Sequence, residues 1–122
     1  MVLARAYFDM MLRGEKQYEI RCQLLSQGVW HVGHHGQIYG VLTLGAGFVV
    51  DSEARWLELR PLHRHPALQR PYKHTCALPV LNPQLLTSTI GYVHRQGSIG
   101  CAKFEPVAGG AISTGTLCKP KY

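Results

Sequence analysis

The sequence predicts an α+β fold, a small β-barrel or curled mixed sheet with about two short helices. Several segments alternate apolar and polar residues with period two, two segments carry helical spacing, and Gly or Pro punctuates the stretches between them. No internal repeat or domain linker is present, and 122 residues suffice for one modest core but not for two. The expected organisation is one domain over residues 1–107, followed by a loosely ordered tail over 108–122, where Gly, Ser and Thr accumulate.

Leu3, Tyr7, Met10 and Gly14 recur at helical spacing, with Ala6 and Met11 beside them, which predicts an amphipathic helix of about three turns. Gly14 is the expected stop, because a residue without Cβ enters the left-handed region cheaply. A half-buried strand follows over 17–22, with Tyr18 and Ile20 on one face and Gln17, Glu19 and Arg21 on the other. A polar connection then leads to Gly33-His34-His35-Gly36.

The apolar run from Ile38 to Leu44 reads as a strand that breaks at Gly45-Ala46-Gly47 in a tight turn or bulge and resumes at Phe48-Val49-Val50. Asp51 or Ser52 is the expected cap of a second helix, with Trp56 and Leu59 on one side and Pro61 as its boundary. Residues 61–83 hold five of the seven prolines, which predicts irregular chain with a short strand near 75–78. Two last strands are expected over 90–94 and 98–105.

Charge narrows the partner class. Thirteen Lys and Arg face seven Asp and Glu, a formal net charge of +6, and such a surplus attracts polyanions, nucleic acid above all. Arg outnumbers Lys eight to five, which suits forked recognition of phosphates and base edges. An equally simple reading of charge alone is a solvated basic surface.

No apolar run approaches the roughly 20 residues that span a bilayer, so no membrane association is expected. The start of the chain lacks the features of a secretory signal, which predicts an intracellular protein, cytoplasmic or nuclear. The four cysteines, Cys22, Cys76, Cys101 and Cys118, form no Cys-x-x-Cys pair and read as free thiols, with Cys22 and Cys101 in the core. No cofactor is expected, and no metal: His31, His34 and His35, like His63 and His65, lack the carboxylate or thiol that would complete a site, and read as surface or cleft-rim residues. Tyr39, Tyr72 and Tyr92 are candidate stacking platforms for bases, although strand tyrosines are more often ordinary barrel residues.

The best-marked segment is Gly14-Glu15-Lys16-Gln17-Tyr18-Glu19-Ile20-Arg21. Alternation sets Glu19 and Arg21 on one face of a strand, about 7 Å apart at Cα, and a turn can swing Lys16 toward them. Such a trio can bind a phosphate and a base edge together: Arg forks onto either, Glu accepts from an amino group and Lys neutralises charge. Taken alone, it reads more readily as an ion-pair cluster that ties helix to strand.

An amphipathic helix followed by Gly-x-Lys-x-x-Glu-x-Arg entering a strand is similar to the hallmark of the ASCH domain family, whose members resemble PUA-like barrels. The stretches 36–40, 77–83 and 96–100 are compatible with that family, so the resemblance spans about residues 5–106. It implies an RNA-binding or modified-nucleotide-binding domain whose basic cleft is lined by Lys16, Glu19 and Arg21, with Tyr92, His94 and Arg95 as further contacts. Family members usually begin with a strand before the first helix, whereas about four residues precede it here, which leaves barrel closure open.

Some ASCH relatives are hydrolases that remove the acetyl group from N4-acetylcytidine, using a Lys and a nucleophilic Thr in this motif. Lys16 matches that Lys, but Glu19 occupies the Thr position, and a carboxylate cannot replace a hydroxyl in acyl transfer without changing the mechanism. The alternative enzymatic reading is a ribonuclease-like hydrolase with Lys16 and Glu19 as catalytic candidates and His74 or His94 as a proton shuttle. A third reading is a protein-interaction module whose basic surface meets an acidic partner.

Overall fold

The computed structural model describes residues 1–92. Two helices pack on a five-stranded antiparallel sheet that curls into a half-barrel, as the α+β reading expects. In chain order the elements are α1 (Arg5–Leu12), β1 (Tyr18–Arg21), β2 (Gly28–His34), β3 (Gln37–Leu44), β4 (Phe48–Val49), α2 (Glu53–His63) and β5 (Cys76–Gly91). The strand expected over 98–105, the continuation past Tyr92, the tail over 108–122, His94, Arg95 and Cys101 lie outside the described residues.

β5 is the spine. Its first residues pair with β1 on one edge, Ile20 opposite Ala77, and with β4 on the other, Phe48 opposite Ala77. The same edge then continues along β3, with Leu44 opposite Val80 and Gln37 opposite Gly91, and β2 lies outside β3. The apolar run that breaks at Gly45–Gly47 is therefore interrupted by a bulge, since both halves run along one edge of β5.

α1 is shorter than its expected three turns, and its buried face is carried by Phe8 and Met11, with Tyr7 and Met10 only half-buried. The helix leans against Trp30, Val32, Tyr39, Leu42, Leu44 and Leu78 on one side of the sheet. Gly14 ends it at φ +76°, the conformation for which glycine is favoured. α2 covers the opposite side, packing Trp56 and Leu59 on Ile20, Val50 and Ala77.

Ser52 caps α2, its hydroxyl accepting from the Arg55 amide at 3.1 Å. Pro61 does not end this helix, which runs on to His63. Its ring costs one intrahelical bond, and tertiary contacts hold the last turn. The Leu62 carbonyl accepts from the Gln17 amide at 2.7 Å, and the His63 imidazole meets the Trp56 carbonyl at 3.2 Å.

Two stretches depart further from expectation. The connection before Gly33 is strand β2, in which Trp30 and Val32 are buried and Val29 is exposed. The strand expected near 75–78 is present but does not stop there: β5 starts at Cys76 and passes straight through Pro79 and Pro83, where irregular chain was expected. It does so by slipping register beside Asn82, whose φ is +49°, so Pro83 falls at a bulge.

In place of a strand before α1, Val2 makes a single parallel bridge to Gly33. Cys22 is half-buried rather than a core residue, while Cys76 is buried, and both are free thiols. No helix among the described residues is long and apolar enough to cross a membrane.

Candidate functional site

Lys16 sits where α1 hands over to β1, and backbone bonds hold it from three sides. Its own amide donates to the Met10 carbonyl at 3.2 Å, while neighbouring Gln17 donates to Leu62 and accepts from the Val80 amide at 2.9 Å. The side chain consequently runs inward, 3% exposed. Its ammonium donates to the His63 carbonyl, stands 3.7 Å from Glu19 Oε1 and lies 5.5 Å from the centre of the Tyr7 ring.

Glu19 pairs across the sheet with Leu78, a residue of the core beneath α1, so its carboxylate points to that side and is buried. Arg21, two residues on, donates from Nε to Glu19 Oε2 at 2.7 Å and from Nη2 to the Val2 carbonyl at 2.7 Å. One carboxylate thus serves two cations. Burial holds the Lys16 ammonium below its ordinary pKa, with the Glu19 carboxylate opposing the shift.

These three side chains line a cavity of about 210 Å³, whose other walls include Val2, Tyr7, His65 and Tyr72. The volume lies below the roughly 300–1,000 Å³ of sites for drug-sized ligands, and suits a single ring or a small anionic group. Two aromatic phenols and an imidazole provide flat surfaces beside two cations and one carboxylate.

The second histidine group belongs to this architecture and not to the surface. His63 is fully buried and stacked on Trp56, with ring centres 3.8 Å apart and planes at 24°. Burial pushes its pKa down to about 4. His65 is half-buried in the cavity wall, and burial followed by the Lys16 charge lowers its pKa too. His31 and His34 lie in β2, and His35 with Gly36 forms the tight turn to β3, both at positive φ (50° and 77°).

Tyr39 is a core residue, its hydroxyl donating to the Leu3 carbonyl at 2.5 Å, and it offers no stacking face. Tyr92 stands apart from Lys16, Glu19 and Arg21, in a second cavity of about 290 Å³ with Val2, His34, His35 and Gly36. His74 is exposed and does not line the Lys16 cavity. Among the described residues no three His, Cys, Asp or Glu side chains gather as metal ligands.

Sequence reasoning passed over Tyr7 as a wall residue and Val2, whose carbonyl receives Arg21, and it placed His65 no more closely than the surface or a cleft rim. His65 was visible only as part of a His-Arg-His cluster, since its position depends on where α2 ends. No protein-family model matches this chain, and no curated protein matches it.

Proposed function

We propose that this is an ASCH-like, PUA-like domain that binds RNA, or a modified nucleotide, at the cavity lined by Lys16, Glu19 and Arg21. The observation that carries the reading is the meeting of all three charged motif residues with Tyr7, Tyr72 and His65 around about 210 Å³. Aromatic faces stack bases irrespective of sequence, and two cations against one carboxylate favour an anionic ligand. The formal net charge of +6 adds long-range attraction for a polyanion.

The size of the cavity supports one nucleotide inserted from a strand rather than a strand lying along a groove. RNA would then cross the cavity mouth, with a single base or phosphate taken inside.

The deciding experiment incubates the purified protein with mixed labelled RNAs and follows retention and cleavage side by side, beside an Arg21→Gln variant whose folding is checked by circular dichroism. Intact RNA retained by the wild type and weakly by the variant supports the binding site. Cleavage sensitive to the variant would replace this reading with the ribonuclease-like hydrolase. Equal behaviour of the two proteins would reduce the motif to an ion-pair cluster.

A further inference from the structure

The histidine that closes the cavity wall is held in one tautomer. The Ala67 amide donates to His65 Nδ1 at 3.1 Å. An amide N–H donates only to an unprotonated nitrogen, so the proton of the neutral ring resides on Nε2. The same argument applies one step back: the His65 amide donates to His63 Nδ1 at 2.9 Å, and His63 gives its Nε2 proton to the Trp56 carbonyl.

Trp56 then fixes the other end, its indole N–H donating to the Ala67 carbonyl at 3.1 Å while its ring meets the His65 ring edge to face, centres 5.6 Å apart. Ring plane and tautomer of His65 are both set before any ligand arrives. Its Nε2–H has no acceptor among the described residues, and since no buried side-chain donor there is left unpaired, this N–H is open to solvent, where an acceptor on the cavity's occupant can take the place of water.

The other polar groups define what that occupant offers. Glu19 is the one carboxylate in the wall, its Oε2 taken by Arg21 and its Oε1 turned toward Lys16, so it has lone pairs left for about one more donor. Arg21 Nη1 and the remaining ammonium protons of Lys16 are donors, as is His65. The Tyr7 and Tyr72 hydroxyls can donate or accept, so fixed donors still outnumber fixed acceptors, and an edge with two acceptors around one donor complements them. A planar imide, C=O, N–H, C=O, has that pattern, and the uracil ring presents it within the size of the cavity.

We propose that His65 is a specificity-determining residue of this cavity, its Nε2–H reading a ring carbonyl so that the site takes uracil-type nucleotides and rejects cytosine-type ones. The proposal rests on the reading of the cavity as a nucleotide site. Cytosine replaces one carbonyl by an amino group, which would set N–H against N–H at His65 and leave both donors unpaired.

The test is calorimetric titration of uridine 5′-monophosphate and cytidine 5′-monophosphate, at one pH and salt, into wild type, His65→Asn and His65→Gln. Both ligands carry the same phosphate, so the contrast isolates the ring edge. Wild type should prefer the uridine nucleotide by about tenfold or more, the worth of one well-made hydrogen bond against a mismatched one. Asn retains an oxygen for the Ala67 amide but has no N–H at the Nε2 position, so the preference should collapse toward unity. Gln places an amide N–H near Nε2 and should restore it.

Equal binding of the two nucleotides by wild type, or a preference that survives His65→Asn, would overturn the specificity role and leave the nucleotide site standing. Failure of wild type to bind either nucleotide would overturn both readings together. Should His65→Asn not fold, the wild-type ratio and the Gln variant still decide.

Discussion

The ammonium of Lys16 donates to the carbonyl of His63, 47 residues further along the chain, in the last turn of α2. A motif that looks local in sequence is thereby built into the end of the second helix. The same ammonium faces Glu19 and the Tyr7 ring, so one side chain joins α1, β1 and α2 around the cavity. The residues proposed to bind a ligand are also structural, and variants must separate the two roles.

Lys16→Met and Glu19→Leu should differ in cost. Removing Lys16 leaves Glu19 with Arg21, for a loss of about 1.5–3 kcal/mol, the worth of hydrogen bonds to a charged group. Removing Glu19 takes the carboxylate from the buried Lys16 ammonium and the part-buried Arg21 guanidinium at once and should cost about 3–5 kcal/mol. Urea unfolding of both variants beside wild type gives the order directly.

Tyr72 is 42% exposed and lines the cavity. Tyr72→Ala should leave stability nearly unchanged while weakening RNA binding by about 1–3 kcal/mol, the range for loss of one base-stacking ring. Fluorescence anisotropy with a short labelled RNA, paired with a melting curve, separates affinity from stability.

Acid should destabilise the domain through His63. Its pKa is about 4 when folded against an ordinary 6.5, because burial disfavours the imidazolium, as do the charges of Lys16, His65 and Arg60. Between those values the unfolded chain binds more protons than the folded one, so stability falls as pH drops from about 6.5 toward 4. A His63→Gln variant should show a shallower fall over that window in urea titrations at stepped pH, whatever its stability at pH 7.

Gly40 has no room for a methyl group. A Cβ there would lie 2.7 Å from Phe8 Cζ and 2.9 Å from the Gln84 carbonyl oxygen. Gly40→Ala should cost about 1–3 kcal/mol by overpacking. Adding Phe8→Leu should recover only part of this, since the backbone oxygen remains. A thermal-melt comparison of the single and double variants checks it.

Much of the local structure was legible along the chain. Gly14 stops α1, Ser52 caps α2, and the break at Gly45–Gly47 separates two strand pieces, because each depends on backbone preferences within a few residues. The pairing of Glu19 with Arg21 was readable for the same reason: period-two geometry sets alternate strand residues on one face.

β2 escaped notice because Gly28, Gly33 and two histidines mask the alternation of Val29, Trp30, His31 and Val32. The length of β5 escaped because two prolines usually end a strand, and only the bulge at Asn82 shows how this one continues. Phe8, rather than Met10, faces the core because Gly40 leaves a gap for its ring, a fact of packing across about 30 residues of chain.

The residue types, the motif and the helix and strand signals around it were written locally. Which groups surround Lys16 was settled by long-range closure. The cavity exists because α2 runs past Pro61 and brings His63 and His65 to β1, while Val2 crosses to receive Arg21. Such contacts join residues tens of positions apart, and they are held by the burial of Trp56 and Phe8 on opposite sides of the sheet, which keeps both helices on it.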